Sequence, residues 1–212
     1  MSRYELHGHY GWGSVLTEAQ LEWYGFPFDF VDSGDLFEDA SARVKLAKLN
    51  PLAQVLVLIL PDGQVMTETA AITLHLADAA GRHDLVPAPD EESRPRFLRW
   101  LIFIVANIYP TFTYGDVPER FVLGADAAKG FRANLDDYQK ALWHMVEPEA
   151  KAPWFLGERF SALDIYLCAM TRWRPNRPWF EESAPKLLAA ADSCSALPKL
   201  APVWLRNYPP PG

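Results

Sequence analysis

The sequence predicts an α/β domain followed by an all-helical domain. Three observations carry this reading. The continuous apolar run Val55 to Leu60, the turn residues Pro61, Asp62 and Gly63, and the helix start at Thr67, Glu68 and Thr69 read as strand, hairpin, strand and helix. Upstream, two short apolar stretches flank a helical one at the spacing of a βαβ unit. Downstream of the proline-rich, acidic stretch Pro87 to Glu92, the pattern turns wholly helical.

Tyr4 to His7 is the first predicted strand, and Gly8 to Gly13 form a glycine-rich loop. Ser14 is placed to cap a helix that runs to Tyr24 and closes at Gly25, with Val15, Leu16, Ala19 and Trp23 on its buried face. Phe28 to Val31 is the second strand, and a helical stretch near Ala40 to Leu49 leads into the apolar run. After Val65 and Met66 pair back, Ile72 and Leu76 recur at helical spacing. The predicted order is therefore βαβα-ββα.

Composition narrows the function. The 212-residue chain is half hydrophobic, enough for sizeable cores, and carries a net charge of −7 that argues against a nucleic-acid partner. Cys168 and Cys194 are too few for a disulfide framework and suit a reducing compartment. No basic-then-apolar leader opens the chain and no apolar run approaches the roughly 20 residues that span a bilayer, so the expectation is a cytoplasmic protein without membrane contact. His75 and His83 lack partners at ligand spacing, and no CxxC or HExxH motif occurs, so no metal is expected.

The segment Asn50-Pro51-Leu52-Ala53-Gln54-Val55-Leu56-Val57-Leu58, then Asp62-Gly63, then Glu68-Thr69-Ala70-Ala71-Ile72, resembles the glutathione transferase pattern NPxGxVPxL…DG…ES-x-AI. The resemblance implies a thioredoxin-like N-terminal domain over residues 1–80 that binds glutathione. It implies that the Gln54 side chain meets the glycine carboxylate, that the Val55 backbone pairs with the cysteinyl moiety as an added strand, and that Glu68 and Thr69 hold the γ-glutamyl amine and carboxylate. One departure stands out: the cis-proline of the family falls on Leu56, so the Val55–Leu56 peptide is expected either as cis without proline or as trans with a displaced strand. In the family a residue in the first loop stabilises the glutathione thiolate, a thiol with an ordinary pKa of about 8.5. Gly11, Trp12 or Gly13 fall at the usual positions, and Ser14 is the nearest hydroxyl, with Tyr10 and His9 close behind. Ser14 is thus the catalytic candidate, and equally a plain helix cap.

Residues 81–92 read as an exposed linker, 93–207 as the helical domain and 208–212 as a disordered tail. Helices are predicted from Ser93 to Ile108, with Tyr109-Pro110 kinking or ending the first, and from Ala125 to about Val146. The stretch Trp154 to Tyr166 resembles the family pattern FLGxxFSxADIYL, with Ser161 and Asp164 in the relation of a capping box, and Leu197 to Trp204 resembles its closing helix. The prolines and arginines of Trp173 to Trp179 break the helical run. The resemblance further implies an apolar wall for a hydrophobic electrophile from Tyr10, Trp12, Asn107, Tyr109, Phe112 and Tyr114, and a homodimer. Two functions follow: an enzyme that conjugates glutathione to a small hydrophobic electrophile or uses it on one, and a catalytically silent binding protein of the same fold.

Overall fold

The structure, a computed structural model, describes residues 3–210. It divides into two compact units: residues up to Val86 together with the segment from Ser195 onward, and Pro87–Cys194. Pro211 and Gly212, part of the predicted tail, lie outside the described residues.

In the first unit, β1 (Tyr4–Gly8), α1 (Ser14–Tyr24), β2 (Phe28–Asp32), α2 (Ala40–Leu46), β3 (Val57–Ile59), β4 (Val65–Met66) and α3 (Thr69–Ala80) follow the predicted order. The sheet runs β2-β1-β3-β4. β1 and β2 are parallel, Tyr4 opposite Phe28, and α1 makes the crossover that a parallel pair requires. β3 is antiparallel to β1, Leu6 opposite Leu58, and β4 is antiparallel to β3. Alternation along β1 buries Tyr4, Leu6 and Gly8 and leaves Glu5 and His7 half-buried on the other face. Leu6, Leu16, Leu58 and Ile72 are fully buried, each contributing about 1.5–3 kcal/mol relative to exposure. A smaller core of Leu36, Ala42, Leu46 and Val57 lies under α2, with Trp12, Leu49 and Val55 packed against it.

Three boundaries differ from expectation. The run from Val55 to Leu60 yields a strand of only Val57–Ile59. Asn50 holds the Gln54 carbonyl at 2.8 Å and Ala53 sits at φ +50°, so the chain is still turning there and has no ladder partner. The cap of α1 is Gly13, and Ser14 is the first helical residue, because its hydroxyl reaches back to the preceding loop. α2 ends at Leu46 and tapers through single turns to Leu49.

The second unit contains α4 (Arg94–Phe103), α5 (Tyr109–Asp116), α6 (Ala125–Val146), α7 (Ala162–Met170), α8 (Arg177–Ser183) and α9 (Pro185–Ser195). Pro110 neither ends nor breaks the first run. A π turn, Ile104–Ile108, joins α4 to α5. Pro110 has no N–H for the carbonyl one turn back, and the wider turn makes room for its ring. Asp164 closes the capping box at the start of α7, accepting from the N–H groups of Ser161 (2.8 Å) and Phe155 (2.7 Å). The connecting stretch is less exposed than its composition suggests. Pro87 is buried, and Glu91 accepts from the Ala88 N–H and pairs with Arg159. The last helix, α10 (Ala201–Asn207), packs on α1 in the first unit.

Candidate functional site

Strand register gathers the predicted site residues of the first unit. His7 pairs with Val57 and Leu58 with Met66. The end of β1, the start of β3 and the end of β4 therefore lie at one end of the sheet. From that end emerge the loop 9–13, the turn 53–56 and the start of α3, carrying Tyr10, Trp12, Ser14, Gln54, Val55, Glu68 and Thr69.

The loop is tightly tied. The Ser14 hydroxyl donates to the His9 carbonyl at 3.0 Å and accepts from the His9 N–H at 3.2 Å. Ser14 is fully buried, because a Cβ on Gly8 would fall 2.2 Å from its own Cβ and the glycine lets the two segments meet. The His9 ring bonds Asp32 at 2.8 Å and meets Trp12 edge-on. Burial pushes the Asp32 carboxyl up, but the bonds from His9 and the Gly34 N–H outweigh it and hold it below the ordinary range. Tyr10, 44% exposed, stacks on Phe30, while Trp12 packs into the core under α2. The N–H groups of Gly13 and Ser14 at the start of α1 find no acceptor among the described residues.

The second segment is ordered by Asn50, which accepts from the Leu52 N–H and donates to the Gln54 carbonyl. The Gln54 and Val55 side chains are half-buried, and the Val55–Leu56 peptide is cis. The third segment turns sharply. Glu68 precedes α3 at φ +67° and ψ 104°, a conformation rare outside glycine, and its side chain is exposed. The N–H groups of Thr69, Ala70 and Ala71 find no acceptor among the described residues. This helix start presents oriented donors with the positive end of the helix dipole behind them, a setting that favours an anion.

A separate cavity of about 390 Å³ opens beside α2, lined by His7, Asp32, Ser33, Asp39 and Lys45 among others. Gln54, Glu68 and Thr69 are not among its walls.

In the second unit, Tyr109 and Phe112 meet Trp173 edge-on at 5.9 and 5.2 Å, and Phe112 is largely buried. Tyr114, 41% exposed, packs edge-on against Phe121. Asn107 donates to the Phe103 carbonyl within the π turn. Trp173 belongs with these rings, although the sequence pattern marks it only as the start of a helix break.

Sequence reasoning also missed Glu18, Arg206 and Asn207. Glu18 is buried to 1% exposure on α1. Its signal was available: an acid three residues after Val15 and beside Ala19, on the face predicted to be apolar.

Among the described residues no group of three or more His, Cys, Asp or Glu is placed to hold a metal ion, and no helix is long and apolar enough to cross a membrane. No family model matches the chain. It is 39% identical over 204 residues to the uncharacterized GST-like protein YncG of Escherichia coli K12, covering 96% of this chain and 98% of that one. It is 32% identical over 128 residues, 59% of each chain, to the glutathione S-transferase GstA of Escherichia coli O157:H7. Among solved structures, a glutathione transferase homolog from Sulfitobacter with bound glutathione superposes with a TM-score of 0.81 at 21% identity, over 96% of this chain and 97% of that one. With a near full-length relative at this identity, and a thioredoxin-like sheet followed by a helical unit, the chain belongs to the glutathione S-transferase family.

Proposed function

We propose that the protein binds glutathione at the end of the sheet where the loop 9–13, the turn 53–56 and the start of α3 emerge, and transfers it to, or uses it on, a small hydrophobic electrophile. The observation that carries this reading is Glu68 at φ +67° immediately before the free N–H groups of α3. A rare backbone conformation of this kind costs about 1–3 kcal/mol and concentrates at ligand sites. In this reading the start of α3, with Thr69, receives the γ-glutamyl carboxylate and Glu68 the amine. The Val55 backbone pairs with the cysteinyl unit, and the Gln54 side chain meets the glycine carboxylate. The free N–H of Gly13 favours the thiolate, while the buried Ser14 hydroxyl holds His9 and orders the loop. The thiol proton leaves to water, the sulfur forms a bond to the electrophilic carbon, and the leaving group departs. Tyr10, exposed on the loop 9–13, supplies aromatic surface for that electrophile.

A homodimer is part of the proposal, supported by the family to which the chain belongs. A sedimentation mass of one chain at micromolar concentration would contradict it. A cytoplasmic location is supported by two buried thiols that form no disulfide with each other.

Calorimetric titration with glutathione, alongside a Glu68→Ala, Thr69→Ala double variant, tests the site. The expected result is micromolar-to-millimolar binding that the double variant loses. No heat at several millimolar, or equal binding by both proteins, overturns the reading. The second reading, a catalytically silent glutathione-binding protein, is favoured by the buried and fully engaged Ser14 hydroxyl. Binding without any conjugation of an activated aryl halide would select it.

A further inference from the structure

We propose that Asn207 on α10 is a positioning residue for the thiol of bound glutathione, an inference that rests on the proposed site. Its side chain is 6% exposed and joins three segments. Its Oδ1 accepts from the Gly11 N–H at 3.0 Å, and its Nδ2 donates to Glu18 Oε2 at 2.7 Å and to the Val203 carbonyl at 3.0 Å. Arg206, one residue before it, closes the other side: its Nε and Nη2 donate to Glu18 Oε1 at 2.9 and 2.7 Å.

Glu18 is therefore a buried carboxylate whose two oxygens are both taken by neighbouring residues of α10. A buried charge is tolerated only when paired and hydrogen-bonded, so the pairing fixes where α10 sits on α1. The amide of Asn207 has an internal polarity that matches this setting. Its donor end faces the carboxylate and its acceptor end faces the Gly11 N–H.

Gly11 is the midpoint of the loop that carries Tyr10 and Trp12 and delivers the free N–H of Gly13. It sits at φ +77°, and a Cβ there would lie 3.3 Å from the Asn207 carbonyl oxygen, so loop and helix are in close apposition. Ser14 and Asp32 fix the His9 side of this loop, and Asn207 fixes its middle. The donor that favours the thiolate is thus aimed by a residue of α10, and this helix forms part of the site without touching glutathione.

Asn207→Ala tests this against a merely structural role. The pKa of the bound thiol, followed by ultraviolet thiolate absorbance against pH, is expected to rise by about one unit, a tenfold loss of thiolate at a fixed pH below it. Affinity for S-methylglutathione, which has no thiol to ionise, is expected to change less than about threefold. Asn207→Ser leaves a hydroxyl too short to span both Gly11 and Glu18, and it is expected to raise the thiol pKa as the alanine variant does. An unchanged thiol pKa in folded Asn207→Ala overturns the proposal. Should Asn207→Ala not fold, Asn207→Ser carries the test: a raised thiol pKa supports the role, and one as in wild type overturns it. Wild-type protein that takes up neither glutathione nor S-methylglutathione sinks the binding site itself. Hydrogen exchange of residues 9–13 separates the two failures. About tenfold faster exchange in Asn207→Ala supports the clamp, and an unchanged rate removes it whatever the ligand does.

Discussion

The side-chain amide of Asn50 donates to the backbone carbonyl of Gln54 at 2.8 Å, closing a loop that ends where β3 begins. The same side chain accepts from the Leu52 N–H at 3.1 Å, and Asn50 is largely buried. One short side chain therefore orders the turn that presents Gln54 and Val55.

Asn50→Ala is accordingly expected to lower stability by about 1–3 kcal/mol, since the Gln54 carbonyl loses its donor. Chemical denaturation measures this. On the proposed function, glutathione affinity falls with it, because the Val55 backbone loses its fixed position. A variant of wild-type stability would show that the turn holds itself.

Asp164 is expected to make stability depend on pH. Burial pushes its carboxyl up to about 7, against the downward pull of the Phe155 and Ser161 N–H groups and the Ser161 hydroxyl. A carboxyl with a higher pKa folded than unfolded takes up a proton on folding. Its contribution is therefore complete below about pH 4 and is lost as pH rises through about 7. The stability difference between wild type and Asp164→Asn should shrink across that window, by no more than about 4 kcal/mol at 1.4 kcal/mol per unit. A difference independent of pH would show that Asp164 is ionised throughout.

Two glycines should respond in opposite directions to alanine. A Cβ on Gly8 would overlap Ser14, so Gly8→Ala is expected to cost about 3 kcal/mol and to displace the loop 9–13. Gly130 lies inside α6 with nothing within 4 Å of a Cβ, and Gly130→Ala is expected to stabilise by about 0.5–1 kcal/mol. Thermal denaturation of both variants decides the matter.

The two thiols should be silent in the native protein. Cys168 and Cys194 are both fully buried, and burial together with the neighbouring Cys168 pushes the Cys194 thiol up. A disulfide-exchanging reagent should react about a hundredfold or more slowly with native than with denatured protein, which exposes both. Rapid native reaction of either cysteine would contradict this packing.

The strand β1, the Asp62-Gly63 turn, the Gly25 helix end, α6 and the Ser161–Asp164 box were all legible in the sequence. Each depends on residues within one turn or one strand of each other, where local sterics and hydrogen bonding decide. The π turn before Tyr109 was half legible. Pro110 announces a disturbed helix, but packing decides whether the chain widens or stops.

The fate of Ser14 was not legible. A serine at a helix start looks the same whether its hydroxyl is open or closed, and only the approach of Gly8 closes it. The clamp on Gly11 was less legible still, since its partner Asn207 stands 196 residues away and Arg206 stands 188 from Glu18. The sequence by itself determined the elements, their order and the family, because those follow from periodicity, turn chemistry and short motifs. Tertiary structure decided which donors remain free and what aims them, because a hydrogen bond between distant segments exists only once the chain has folded them together.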